Sequence, residues 1–348
     1  MLTYRKILVP TDFSSYSLQA LPYARALAAA HGATVALVHA VRRRGDLETA
    51  TRRLEDLATR LESIPHEIRV ERGSPPSVVN RLAEEMGADL IVLSTRGRRG
   101  VARRVMGSTA EAVVAGAPCP VLTVKQPEHE FVVLEVPPPA PPPPLPKTLT
   151  LRARPPTEED LYFAEQDRQR LLEQWAARVP KPHLAIHLRR ILVPTDLSEP
   201  SRQALRYAAE LARAYGSSLT LLHCLDNLGL LVAEPSLSAD PEALRRDLLG
   251  AAVERLSVLG RELEGVDWQG QVDFGSPARS IVKVARDREI DLIVMATQGP
   301  QGLADMVLGS TAQAVVRRAP CPVLTLRAAV PTPAEERPLV GTAAGPAS

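Results

Sequence analysis

Pro10, Thr11 and Asp12 stand directly after the apolar run Ile7-Leu8-Val9. A second apolar run ends at Leu93 and is followed by Ser94, Thr95, Arg96 and Gly97, then nine residues, then Gly107, Ser108 and Thr109. These residue types in this order suit a phosphate. Glycines let backbone amides approach oxygen atoms, a helix start offers free N–H groups and a positive dipole end, and hydroxyls donate further bonds. A plainer use fits the same residues. Gly97 and Gly107 can shape a turn and a helix start, and Asp12 can cap a helix.

The whole arrangement occurs twice. Ile7 to Asp12 returns as Ile191 to Asp196, Gly73-Ser74-Pro75 as Gly275-Ser276-Pro277, Gly107 to Ala110 as Gly309 to Ala312, and Ala117 to Leu122 as Ala319 to Leu324. Matching blocks in one order define two copies of one domain. The second set of candidate residues is Pro194, Thr195, Asp196, Ala296, Gly299, Gly309, Ser310 and Thr311. The copies part company around the glycines. The first carries Arg96, Arg98, Arg99, Arg103 and Arg104, and the second has Gln298, Pro300, Gln301 and Asp305. A basic loop favours a polyphosphate more than an acidic one, so the first copy is expected to bind the tighter.

Something must hold these residues at one edge. In the first copy, short β-branched runs at Lys6–Val9, Thr34–His39, Asp89–Leu93 and Val121–Val124 read as buried strands, and Glu67–Glu71 as a polar edge strand. Between them lie helical patterns. Leu18, Leu21, Ala24 and Leu27 precede Gly32, Leu47 to Leu61 form a second pattern, Ser74-Pro75 is a Ser cap with Pro in the first turn, and Ser108–Ala115 is a further helix. Alternating strands and helices predict an α/β fold. Each repeat is then a doubly wound parallel sheet with helices on both faces. Its ligands belong at the carboxyl ends of the strands. His39 and His223 end the second strand and read as packed, hydrogen-bonded residues. Asp89 and Asp291 start the fourth strand and read as structural.

The chain divides into domain 1 at 1–125, a linker at 126–188, domain 2 at 189–328 and a disordered tail at 329–348. Val136 to Pro146 reads VPPPAPPPPLP, a stiff polyproline spacer that also has the look of an SH3-type ligand. Thr157 to Arg178 follows as a capped amphipathic helix. The second copy holds 18 extra residues around Asn227 to Pro241, near the ligand end of the sheet. The fifth strand leaves an apolar edge that needs cover. Phe131 to Val136 has strand character and is expected to join that edge.

The 348 residues carry a net charge of only +2, so no nucleic-acid or membrane partner is expected. Three Cys make no disulfide framework, and Cys119 and Cys321 read as buried thiols of a cytoplasmic protein. No secretory signal and no spanning segment is expected. No Gly-Lys pair is present, hence no P-loop, and no Cys-x2-Cys or His-Glu-x2-His offers a metal site. No nucleophile–base pair can be proposed from spacing.

Together V-P-T-D, the Gly-x9-Gly-Ser stretch and A-P-C-P-V-L resemble a tandem pair from the universal stress protein family. The resemblance implies a five-stranded sheet in the order 3-2-1-4-5, ATP as ligand with Mg2+, and pairing of the repeats through their fifth strands within one chain, bringing Thr123 near Thr325, with a homodimer of two chains as the alternative. It implies that Asp12 accepts from ribose or metal-bound water, that Pro10, Thr11 and Ala40 line the adenine and ribose pocket, and that Ser94, Gly97, Gly107, Ser108 and Thr109 hold ribose and phosphates. The second copy supplies Pro194, Thr195, Asp196, Cys224, Ala296, Gly299, Gly309, Ser310 and Thr311. Ser94 and Ala296 replace the family motif's first glycine, which matters if that position needs a positive φ. The implied function is an ATP-binding stress-response regulator or scaffold. A pseudo-dimeric interaction protein without nucleotide and a slow ATPase are the competing readings.

Overall fold

The computed structural model describes residues 2–61, 63–95, 106–125, 128, 130–135, 183–226, 241–297 and 308–327. The polyproline tract, the 157–178 helix, residues 227–240, the tail, and Gly97 and Gly299 with the charged residues beside them lie outside these.

In the first repeat the order is β1 (Lys6–Pro10), α1 (Ala20–His31), β2 (Thr34–Val41), α2 (Leu47–Ala58), β3 (His66–Arg72), α3 (Pro75–Glu85), β4 (Leu90–Ser94), α4 (Ser108–Gly116) and β5 (Val121–Val124). Short strands β6 (Val132–Glu135) and β7 (His183–Ile186) follow. The second repeat is β8 (Arg190–Thr195), α5 (Glu199–Tyr215), β9 (Ser218–Leu225), α6 (Pro241–Arg261), β10 (Trp268–Phe274), α7 (Pro277–Asp287), β11 (Leu292–Ala296), α8 (Ser310–Arg318) and β12 (Val323–Leu326).

Both repeats have the strand order 3-2-1-4-5, all parallel within a repeat, as the α/β reading requires. Their central strands are β1 and β8, whose Ile7, Leu8, Ile191 and Leu192 are wholly buried. A side chain of that size contributes about 1.5–3 kcal/mol when fully buried. Helices end where the sequence punctuates them. Gly32 takes φ +67 and Gly216 φ +68 as left-handed caps after α1 and α5. Asp89 and Asp291 are structural as expected. Asp89 Oδ2 accepts from the Arg5 and Lys6 amides at 2.7 and 2.8 Å, and Asp291 Oδ2 from those of Arg189 and Arg190 at 2.8 Å each.

The two sheets are one. β5 and β12 pair antiparallel inside a single chain, so ten strands run β10-β9-β8-β11-β12-β5-β4-β1-β2-β3. Leu122 faces Leu324 at the centre of the join. Thr123 faces Val323 and Thr325 faces Val121, so the two threonines lie on a diagonal instead of opposite each other. Among the described residues β3 and β10 are the outer edges of this sheet, and β3 is blunted by Glu67, Arg69, Glu71 and Arg72.

Two expectations fail. The strand near Phe131 does not extend the β5 edge, because β12 already occupies it, and Val132–Glu135 pairs with His183–Ile186 in a separate two-stranded sheet. Ser74 precedes α3 in an extended conformation but makes no side-chain cap. Its hydroxyl goes to Ser77 Oγ at 2.7 Å instead.

Candidate functional site

The carboxyl ends of β1 and β4, and of β8 and β11, lie side by side because each pair is hydrogen-bonded. That is where the strand order reverses, so the chain opens a crevice there. In the second repeat the crevice is a cavity of about 280 Å³. Pro194, Thr195, Asp196, Cys224, Ala296, Gly309, Ser310 and Thr311 all line it. Every second-repeat candidate is therefore gathered in one place, apart from Gly299, which lies outside the described residues. Leu222, Ile281 and Met295 supply an apolar wall. Apolar walls with a few converging polar groups are the usual make-up of a small-molecule site.

The first loop is built identically in both repeats. Thr195 is buried, and its Oγ1 meets Ser201 Oγ at 2.9 Å and accepts from the Leu197 amide at 3.0 Å. Thr11 does the same with Ser17 at 2.9 Å and the Phe13 amide at 2.9 Å. The residue after each aspartate is left-handed: Phe13 at φ +61 and Leu197 at φ +67. Such angles are strained for a non-glycine residue and persist where the surroundings hold them. Asp196 Oδ1 accepts from both the amide and the hydroxyl of Ser198, and Ser198 in turn caps α5 by accepting from the Ser201 amide. Asp12 Oδ1 takes the amide and hydroxyl of Ser14. The aspartates thus shape the loop and, in the second repeat, also face the cavity.

His39 and His223 pack as expected. Their Nδ1 atoms lie 2.7 and 2.8 Å from the Thr11 and Thr195 carbonyls, so each ring donates through Nδ1 and pins the loop to its strand. Phe13 stacks on His39 with ring centroids 4.5 Å apart, and the Arg53 guanidinium sits 4.0 Å above the Phe13 ring.

The second loop closes by a backbone bond. The amides of Gly107 and Gly309 donate to the carbonyls of Thr95 and Thr297 at 2.9 and 2.8 Å. This seats the first turn of α4, with Ser108 and Thr109, against Ser94 at the end of β4. It seats α8 likewise against Ala296. A Cβ on Gly309 would come within 3.0 Å of the Thr297 carbonyl oxygen, closer than side chains normally tolerate. Ser94 and Ala296 are regular strand residues with negative φ, so the missing first glycine costs the backbone nothing. Ala40 is the penultimate residue of β2, as Cys224 is of β9. Burial pushes the Cys224 thiol up to about 11, helped by Asp273 and Asp226 and opposed by a Ser280 hydrogen bond.

Ser17 and Ser201 and the left-handed Phe13 and Leu197 shape the candidate site although spacing alone did not single them out, and Ser201 and Thr297 line the second-repeat cavity. The signal for the polar ones was present, since each pair recurs identically in the two copies.

Two segments, residues 3–125 and 187–327, match the universal stress protein family. Universal stress protein MJ0577 of Methanocaldococcus jannaschii is 27% identical over 158 residues, covering 41% of this chain and 98% of that protein. The universal stress protein in the QAH/OAS sulfhydrylase 3′ region of Thermus aquaticus is 35% identical over 138 residues, covering 39% of this chain and 97% of its own length. The crystal structure of a universal stress protein from Archaeoglobus fulgidus covers 92% of this chain and 96% of its own, with a TM-score of 0.58 and 19% identity, a likeness of fold.

Proposed function

This chain belongs to the universal stress protein family, and from that premise we propose that it binds adenine nucleotide, ATP with Mg2+, and acts as a nucleotide-dependent stress-response regulator or scaffold. One observation carries the reading. Eight residues that the family motif assigns to nucleotide converge on one cavity at the sheet's switch point.

The residues present fit such a ligand. The apolar wall suits a base, while the first turn of α8 with Ser310 and Thr311 suits a phosphate. Mg2+ takes few protein ligands and leans on phosphate oxygens. Among the described residues no group of three or more His, Cys, Asp or Glu gathers to hold a metal alone. Asp196 and the Ser310 and Thr311 hydroxyls are the side chains that would share the ion with a nucleotide. The bound ion would neutralise phosphate charge. His39 and His223 donate through Nδ1 to loop carbonyls and so hold the loop that carries the aspartate.

The test is to denature the purified chain, weigh what it releases, and titrate the emptied protein with MgATP by calorimetry. An adenine nucleotide in the release and a saturable heat support the proposal. Neither appearing would leave the pseudo-dimeric interaction protein as the better reading.

A further inference from the structure

The ten-stranded sheet ends in two strands of unlike character. β3 reads HEIRVER, with two Glu and two Arg, whereas β10 reads WQGQVDF, with Asp273 as its one charge. On its inner side β10 is fully paired. Leu219 donates to the Asp267 carbonyl at 2.8 Å and Gly275 to the Leu225 carbonyl at 3.0 Å, and the register between them is unbroken from Trp268 to Phe274. In such a ladder alternate residues bond the same neighbour, so the backbone groups of Trp268, Gly270, Val272 and Phe274 point away from β9. Among the described residues no strand meets them.

What an open edge accepts depends on the side chains it sets opposite one another. One register pairs all seven residues of β10 with a second β10, antiparallel about a two-fold axis at Gln271. It puts Trp268 opposite Phe274, Gln269 opposite Asp273, Gly270 opposite Val272 and Gln271 opposite itself. The four residues with outward backbone groups fall into the hydrogen-bonded pairs. No like charges meet, and the two aromatics face each other on the side covered by α6, where Gly260 lies against Trp268 and Arg245 over Phe274. The same register on β3 sets Glu67 against Glu71 and Arg69 against Arg69, like charge directly opposite like charge. One edge of the sheet is thus shut to its own copy, and the other is self-complementary.

α6 points to the same occupant. The flank of α6 that carries Gly260 lies along this edge, and Leu249 and Val253, at helical spacing on that flank, are exposed apolar side chains. The β5–β12 join shows what happens when two such edges meet. The helices beside them, α4 and α8, come into contact through Glu111 and Gln313. A β10 join would bring α6 beside its copy in the same way and cover Leu249 and Val253. We infer that β10 is an interface between two copies of this chain, joined antiparallel edge to edge. Each copy offers the same strand to the other, so the assembly closes at two chains.

Sedimentation of the full chain at up to about 100 µM is expected to show two chains per particle. Ile7 and Ile191 are equivalent and pair with Val35 and Leu219, which pair in turn with His66 and Trp268. Gln269→Glu with Gln271→Arg therefore gives β10 the residues that β3 carries at the same places, and the fold accepts them. Across the axis they set Glu against Asp273 and Arg against Arg, so the dimer should weaken at least about tenfold with an unchanged circular dichroism spectrum. Gln271→Cys supplies a second measurement. In this register the position faces its own copy with Cα atoms about 4.5 Å apart, within disulfide reach, so oxidation should link two chains. Arg69→Cys on β3 should link none. A single chain per particle would overturn the inference. So would a dimer that Gln271→Cys fails to link or that the doubly charged variant leaves as tight, since it would use another surface. Particles that grow beyond two chains with concentration, or linkage through Arg69→Cys, would overturn it as well, because β3 would then be pairing.

Discussion

Thr195 shows how much one hydroxyl can organise. It is buried, it bonds Ser201, and it takes the amide of the strained Leu197. Thr195→Val keeps the shape but takes the acceptor from the Leu197 amide and a partner from the Ser201 hydroxyl, which keeps its bond to the Ser198 carbonyl, so about 1–3 kcal/mol of stability should be lost. Urea unfolding measures this, and a change under about 0.5 kcal/mol would mean the loop is held by something else. The thiols make a second residue-scale prediction. Burial pushes Cys119 and Cys321 up to about 12, and Cys224 up to about 11. At pH 8 fewer than about one Cys119 or Cys321 in a thousand is thiolate, and thiolate is the reactive form. A thiol reagent should therefore label all three only after denaturation. Fast labelling of Cys119 or Cys321 in the folded chain would contradict their burial.

At the scale of elements, α6 offers a controlled comparison. Gly260 lies where an added Cβ would run into the Trp268 ring, whereas Gly250 on the same helix meets nothing within 4 Å. Gly250→Ala should stabilise by about 0.5–1 kcal/mol through helix propensity. Gly260→Ala should instead cost about 1–3 kcal/mol, since the indole must move off the helix. Thermal melts that rank the two variants the other way would show that Trp268 does not pack there. Both glycines look alike in the sequence, because a glycine in a helical pattern reads as a weak spot whatever faces it. Strand and helix identities were legible for a different reason. Buried parallel strands such as Ile191-Leu192-Val193 are apolar on both faces and contrast with the amphipathic helices between them.

The two repeats are held together by the join of β5 to β12. Thr123 Oγ1 donates to the Val323 carbonyl at 2.9 Å and Thr325 Oγ1 to that of Val121 at 3.2 Å, both buried. Beyond the sheet, Tyr4 Oη meets Tyr207 Oη at 2.9 Å, and His31 Nε2 lies 2.7 Å from Tyr215 Oη. Glu111 on α4 bonds Gln313 on α8. Oxidation of a chain carrying Thr123→Cys and Val323→Cys should therefore link within single chains. Bands at twice the chain mass on a non-reducing denaturing gel would favour a dimer of chains instead. His31 adds a pH dependence. Burial lowers its folded pKa below the ordinary value of 6.5. The unfolded chain then takes up the proton first, so stability from the neutral ring is complete above about 6.5 and is lost as pH falls through that value towards the folded one. His31→Gln should flatten the fall in melting temperature between about pH 7 and 5. An unchanged slope would remove His31 from the account.

The amino-acid sequence by itself determined the repeat, the α/β alternation, the candidate residues at strand ends and the two differing sets of charges. These follow from local pattern, because hydrophobic period, glycine punctuation and duplicated polar residues need no knowledge of distant contacts. Pairing of the fifth strands was expected, and only the tertiary structure decided that it joins the two sheets within one chain and in what register. It also decided that β12 excludes the Val132–Glu135 strand from the β5 edge, and that Leu122 faces Leu324 instead of Thr123 facing Thr325. Register and edge partner depend on which backbone groups meet across some 200 residues of chain, and nothing local encodes that. The left-handed turns at Phe13 and Leu197 belong to the same class. Neither residue type favours that angle, and it is the buried threonine hydroxyl, the paired serine and the histidine-pinned carbonyl that together hold it.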